Sequence, residues 1–270
     1  MTSDAEIEAL PFWTGRPRLT PIEGGRTNRN FLALDAGRRY FVRSGRDIPH
    51  LGISRQAERH AHAKAAAAGL APTIRFTQDG ILITDFVDGT ALGSVSAAKL
   101  AEIALHLKAL HRIPADAGLP LFCPTAIALA YLDRLGDAEI PFDRDLLRQR
   151  LQGLPRAAAR CLVHGDLIPE NFICRADGGL SLIDWEYAGN GQAETDIALL
   201  IANFDLSPEA ARDFIAAYGS VDPVLIAQFQ IAAAIREALW CQVQLRFGTA
   251  SADLPDYALT CAARVSRMLA

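Results

Sequence analysis

The chain has 270 residues, 50% of them apolar and 21% charged, and 27 Lys and Arg against 31 Asp and Glu leave a formal net charge of −4. This is an ordinary globular composition with enough chain for a substantial core in one large domain or two lobes. Its mildly acidic balance gives no electrostatic reason to bind nucleic acid. The N-terminal MTSDAEIEALPFW has no apolar h-region and no stretch reaches about 18 uninterrupted apolar residues, so neither a signal peptide nor membrane insertion is expected. Cys123, Cys161, Cys174, Cys241 and Cys261 are scattered without metal-ligand spacing and read as small buried hydrophobes, which points to a cytoplasmic location.

Residues 4–10 read as a short helix stopped by Pro11, and 18–23 as a strand running into Gly24-Gly25-Arg26-Thr27-Asn28-Arg29-Asn30. Residues 31–34 and 39–43 alternate like a hairpin turned at Asp35-Ala36-Gly37, which puts Phe41 and Arg43 on one face. Residues 53–69 predict a strong helix, with Ser54 as cap, an Ala-rich interior and Gly69 as stop. On it, His60 and His62 read as surface residues, since nothing with metal-ligand spacing accompanies them. Residues 72–76 and 80–85 make a second hairpin through Gln78-Asp79-Gly80, and from Thr90 the chain turns helical. Leu100, Ile103, Leu107 and Leu110 give 96–112 a clean 3.6-residue face. Helices are predicted at 125–136, 143–154 and 194–203, from Ser207-Pro208-Glu209, and at 223–247 and 255–269.

Between these helices lies the stretch that carries chemistry, LVHGDLIPENFICRADGGLSLID from Leu162 to Asp184. Residues 162–164 lead into a tight glycine turn, and 171–174 and 180–183 read as short strands joined by Ala176-Asp177-Gly178-Gly179. Such a hairpin brings Asn171 near Asp184 and leaves Asp166 on the loop before it. Asn171 and Asp184 then form a hard-oxygen site suited to Mg²⁺, which keeps waters and phosphate oxygens as its other ligands. Asp166 remains to accept a proton from a hydroxyl.

His164-Gly165-Asp166, Asn171 and Ile183-Asp184-Trp185-Glu186-Tyr187 together resemble the catalytic loop and metal-binding segment of protein-kinase-like phosphotransferases. H-G-D in place of H-R-D, and D-W-E in place of D-F-G, point to the small-molecule branch, the aminoglycoside phosphotransferase and choline kinase superfamily. The resemblance runs from about residue 22 to 247, and the loop at 24–31 is similar to the G-G-x-[ST]-N-x-N-[FY] loop of choline-kinase-like proteins. It implies an α+β, two-lobed protein-kinase-like fold. A small antiparallel-sheet N-lobe with one helix (1–87) would bind nucleotide, and a mostly helical C-lobe (88–270) would hold catalytic and substrate groups. ATP and Mg²⁺ are the implied cofactors.

Carried over residue by residue, Thr27 and Asn28 belong to the loop covering the nucleotide. Arg43 stands at the position of the strand lysine that holds the α- and β-phosphates, with Glu58 as its helix partner. The Asp85 carbonyl and the Val87 N–H meet the adenine edge at the hinge. His111 and Asp196 are structural supports, and Trp185 packs at the lobe interface. Tyr187 and Trp240 resemble aromatic positions of the choline pocket, where ring faces hold a quaternary ammonium for roughly 0.5–2 kcal/mol per contact, and Glu186 adds a carboxylate nearby.

Two departures stand beside these matches: 205–222 offers only the aromatics Phe214 and Tyr218, and Cys241 and Gln242 follow Trp240. The expectation is therefore transfer of the ATP γ-phosphoryl to a small cationic alcohol. Choline or ethanolamine come first, with an aminoglycoside or thiamine as alternative acceptors. A catalytically inactive nucleotide-binding protein of kinase fold is the alternative of a different class.

Overall fold

In the computed structural model of the chain the described residues are 2–23, 28–93, 95–248 and 252–269. Thr27, with most of the glycine-rich loop before it, lies outside them. Helix α1 (Asp4–Glu8) opens on a capping box in which Ser3 accepts from the Glu6 amide and the Glu6 carboxylate accepts from the Ser3 amide. Strands β1 (Arg18–Ile22), β2 (Arg29–Asp35) and β3 (Arg38–Ser44) follow, then helix α2 (Arg55–Ala67) and strands β4 (Ile74–Gln78) and β5 (Ile81–Asp85). They form one antiparallel sheet in the order β1-β2-β3-β5-β4. Ala36 and Gly37 both take positive φ, 47° and 78°, and this mirror-image turn closes β2 on β3 with Asp35 opposite Arg38.

Alternation divides the sheet into two faces. Phe31, Ala33, Val42, Ile81 and Ile83 point to one side and pack on Ile7, Leu10 and Trp13 of the N-terminal segment. Each large apolar side chain so buried contributes about 2 kcal/mol. Phe41, Arg43, Leu82 and Thr84 point to the other side, into the cleft. In α2, Ser54 caps the Ala57 amide at 3.4 Å, while Ala61 and Ala65 join the main core. Here the reading of His62 as a surface residue is corrected: it is only 4% exposed, because it stands one helical turn from the equally buried Glu58 on the cleft face. Its Nε2–H donates to the Pro72 carbonyl at 2.7 Å. His60 does lie outward, 3.2 Å from Asp116.

After β5 the chain runs without regular structure through 86–88 and enters β6 (Gly89–Ala91), whose partner is β8 (Phe172–Arg175) far along the chain. Helices α3 (Ala97–Leu110), α4 (Pro124–Leu135) and α5 (Arg144–Gln152) come next. Leu100, Ile103, Leu107 and Leu110 of α3 all face the core. Strand β7 (Cys161–Val163) leads to a short 3₁₀ turn (Pro169–Asn171), to β8 and to β9 (Leu180–Leu182). Strand β10 (Gly189–Gly191) pairs with β7. The sequence gives no strand signal at Gly-Asn-Gly. Glycine is needed because the strand is packed closely on both sides: a Cβ at Gly191 would stand 2.7 Å from Val163 of β7, and one at Gly189 2.5 Å from the Pro120 carbonyl oxygen.

Helices α6 (Ala193–Asn203), α7 (Pro208–Tyr218), α8 (Pro223–Phe247) and α9 (Leu254–Leu269) complete the fold. Phe214 and Tyr218 are buried in the α7 interface. Among the described residues α8 is the one helix long and apolar enough to cross a membrane. An uninterrupted-run criterion misses it because Gln228, Gln230, Arg236 and Glu237 break the sequence while the mean hydropathy stays high. In this fold α8 is a core helix covered by α4, α6 and α9.

Candidate active site

Strand β7 delivers His164, Gly165 and Asp166 to the floor of the cleft. Gly165 has φ 77°, and a Cβ there would sit 2.6 Å from the Tyr187 carbonyl oxygen, so glycine fits where few other residues could. The loop backbone is held by the fully buried Asp196 of α6. Its Oδ2 accepts from the His164 amide at 2.8 Å and its Oδ1 from the Gly165 amide at 2.9 Å. His111 donates through Nε2 to the same carboxylate at 3.1 Å and contacts the Tyr218 hydroxyl at 2.9 Å through Nδ1. Burial pushes the Asp196 pKa up, but the hydrogen bonds from His111 and the loop outweigh it and hold the group ionised below the usual range. His164 donates Nε2–H to the Ile183 carbonyl at 3.0 Å and meets Trp185 edge-on at 4.7 Å.

Asn171 folds back on Asp166, donating from Nδ2 to its carbonyl at 2.9 Å and to Oδ2 at 3.3 Å. That orientation fixes which end of the amide is the oxygen: Oδ1 is the atom turned away from Asp166. The Ile183 amide bonds the Asn171 carbonyl at 3.0 Å, which sets Asp184 beside it. Asp184 has φ 64°, in the left-handed region that a non-glycine residue enters only under constraint. Crowding by protein atoms, then the neighbouring Glu186, Asp166 and Glu58, push its pKa well up, although the carboxylate reaches solvent through the cleft. Asp166 is pushed up to about 6 by burial, with Arg236 pulling against it. Such a concentration of negative charge fits a divalent cation, and a carboxylate with an amide oxygen is the hard-oxygen donor pair that Mg²⁺ takes.

The N-terminal side supplies the cations. Arg43 forms an ion pair with Glu58, both almost fully buried, and its Nε has no hydrogen-bond partner among the described residues. A guanidinium that lines the cleft, fixed by a buried carboxylate, suits a phosphate oxygen. Arg55 bonds Glu58 at 2.8 Å and Glu186 at 2.9 Å, and Asn28 donates to Glu186 at 3.0 Å. A cavity of about 400 Å³ lies under the sheet, lined by Phe41, Arg43, Glu58, His62, Phe86, Val87, Asn171, Asp184 and Trp185. Asp85 also lines it; its carboxylate is held outward by Arg75, with two bonds of 2.7 Å, and its carbonyl accepts from the Thr84 hydroxyl at 3.2 Å.

A second cavity of about 480 Å³ opens on the other side of Asp184, lined by Asp166, Glu186, Tyr187, Arg236, Glu237, Trp240, Tyr257 and Arg264. Trp240 donates its indole N–H to the Tyr187 hydroxyl at 2.9 Å, so the two aromatics form one wall. Arg236 stacks 5.0 Å from the centre of the Tyr187 ring and 5.2 Å from that of Phe122. Tyr257 bonds Glu237, which also pairs with Arg264 at 3.3 Å.

All the predicted site residues that are described line one of the two cavities. Arg55, Arg236, Glu237, Tyr257 and Arg264 were not anticipated. Arg55 carries a signal, since it precedes Glu58 by one helical turn. Arg236 stands one turn before Trp240 and so shares its face of α8.

The model of the phosphotransferase enzyme family matches residues 18–229, and the chain belongs to that family. Its protein-kinase-like fold is shared with the choline kinase LicA from Streptococcus pneumoniae, 25% identical with a TM-score of 0.78 over 92% of this chain and 93% of that one. The ethanolamine kinase from Plasmodium vivax superposes with a TM-score of 0.74 at 23% identity, over 94% of this chain and 84% of that one. A homoserine kinase of Afipia carboxidovorans is 30% identical over 159 residues, 53% of this chain and 48% of that protein. In the curated relatives compared, the aligned stretches span from 19% to 60% of their lengths.

Proposed function

We propose that this member of the phosphotransferase enzyme family is an ATP-dependent kinase that phosphorylates the hydroxyl of a small amine-bearing alcohol, choline or ethanolamine first. One observation carries the reading: Asp184 lies where the two cavities meet, with Arg43 on one side and Asp166 on the other. Nucleotide would occupy the cavity under the sheet, its phosphates against Arg43, with Thr27 and Asn28 on the covering loop and the hinge at Asp85 and Val87 against the base. Asn171 and Asp184 would hold Mg²⁺, which supplies charge neutralisation at the phosphates. Asp166, with a pKa of about 6, is ionised at neutral pH yet basic enough to take the acceptor's proton as the new P–O bond forms and the bond from the γ-phosphorus to ADP breaks. Asp196 and His111 keep its loop in place. The remaining work is positioning, which dominates phosphoryl transfer.

The acceptor pocket supports an ammonium-bearing alcohol through its aromatic wall and the carboxylates of Asp166, Glu170, Asp184 and Glu237, with Glu186 at its border already bonded to Arg55. A second reading is favoured by Arg236, a buried guanidinium whose Nε lacks a partner among the described residues, at the same pocket. It suits an acceptor that also carries a carboxylate, a hydroxy amino acid such as the homoserine of the relative above. ADP release with ATP and Mg²⁺, measured with choline, ethanolamine, homoserine or no acceptor, separates these. Stimulation by either amino alcohol supports the first reading, and stimulation by homoserine alone replaces it with the second. Nucleotide binding without stimulation by any alcohol points to the inactive alternative.

A further inference from the structure

Phosphoryl transfer as proposed, on which this inference rests, needs Arg43 of the sheet and Asp184 of the helical region to stand in one fixed geometry. The two are joined by a ladder of alternating charge, Arg43–Glu58–Arg55–Glu186, whose members are 4%, 2%, 3% and 8% exposed. Arg55 is its centre. From one guanidinium, Nη1 reaches Glu58 at 2.8 Å and Glu186 at 2.9 Å, Nη2 reaches the Asn28 side-chain oxygen at 2.6 Å, and Nε reaches the Arg46 carbonyl at 3.0 Å. Asn28 closes the ring by donating to Glu186 at 3.0 Å.

Each partner belongs to a different part of the site. Glu58 holds Arg43, Asn28 directly precedes β2 and Glu186 lies two residues after Asp184. Trp185 between them is fully buried, with its indole N–H on the Leu182 carbonyl at 3.1 Å, so a pull on Glu186 is a pull on Asp184. A flat fork of donors can meet all these acceptors at once, which the point charge of lysine cannot.

We propose that Arg55 is a positioning residue for the bound nucleotide: through Glu58, Asn28 and Glu186 it locks the phosphate-holding Arg43 and the cation-holding Asp184 into a single unit. Glu186, though it borders the acceptor cavity, then serves the donor half of the reaction. The test is a double-mutant cycle on Mg·ATP affinity by calorimetry, using Arg55→Met, Glu186→Gln and both together. Each single variant should weaken binding about tenfold, and the double variant should be hardly weaker than either. Independent sites would multiply to about a hundredfold, and that result would overturn the proposal.

Arg55→Lys keeps the charge without the fork and guards against a misfolded Arg55→Met. It should also bind Mg·ATP several-fold more weakly, and wild-type affinity in it would contradict the claim. In steady state, Glu186→Gln should raise KM for ATP and leave KM for the acceptor alone, and the opposite split would return Glu186 to the acceptor. The cycle reads nucleotide affinity, so a failure to find any phosphorylated alcohol would sink the proposed activity while leaving this result readable.

Discussion

On the donor side of Asp184 the buried charges are matched: Arg43 with Glu58, and Arg55 with Glu58 and Glu186. On the acceptor side, beyond the shared Asp184 and the Arg55-bound Glu186 at the border, the carboxylates of Asp166, Glu170 and Glu237 face two guanidiniums, Arg236 and Arg264, on a pocket wall that is partly open. A matched, desolvated ladder is stiff, because breaking any one pair strands a buried charge at a cost of about 3–5 kcal/mol. Stiffness suits the half of the reaction that every ATP-dependent kinase shares. An unmatched pocket leaves charge available to a ligand, and ligand charge is what must vary between acceptors. The two halves of the cleft therefore divide the labour between chemistry and specificity.

The largest effect should come from the carboxylate both halves share. Asp184→Ala is expected to lower turnover on the order of a thousandfold and to abolish the dependence of ATP affinity on Mg²⁺, measured by ADP release and calorimetry. Retained Mg²⁺ dependence would place the cation elsewhere. Arg43→Ala tests the donor side alone: kcat/KM for ATP should fall by about 30- to 100-fold, the value of a charged hydrogen bond or two, with acceptor KM unchanged. Trp240→Ala tests the other side, and should raise acceptor KM by about tenfold while leaving KM for ATP where it was. A variant that moved both constants together would dissolve the division just drawn.

The smallest expected effect is on stability. Burial depresses His62 to about 4, so the folded protein prefers it neutral while the unfolded chain takes up a proton near 6.5. Stability is therefore intact above pH 6.5 and is lost as pH falls toward 4. His62→Gln should flatten part of that slope in thermal unfolding midpoints taken across the window. An unchanged slope would mean that His62 is protonated in the fold.

What was legible in the sequence was whatever sits at fixed spacing along the chain. His164 and Asp166 lie on the loop before one hairpin, Asn171 and Asp184 flank its two strands, and Glu58 lies one turn into a helix whose cap and stop are explicit. Local rules reach that far. They do not reach Arg55 and Glu186, 131 residues apart, nor β10, whose glycines are needed because the strand is packed closely on both sides. His62 is buried because it stands one turn from Glu58 on the same helix face, while its polar ring by itself reads as a surface residue. Arg236 shares the Trp240 face of α8, but a single Arg in an apolar helix carries no motif of its own. The acceptor half was the less legible one, since α8 and α9 assemble it from distant charges that no short motif announces.

The measurement that bears most directly on the central claim is a comparison of wild type with Asp166→Ala in ³¹P NMR of ATP and Mg²⁺ with the acceptor that stimulates ADP release, alongside calorimetric Mg·ATP binding. The account predicts a phosphate ester and ADP in equal amounts from the wild type. In the variant it predicts a rate lower by a factor on the order of a hundred to ten thousand, with Mg·ATP affinity preserved. A variant that forms the ester at the wild-type rate would contradict the assignment of Asp166.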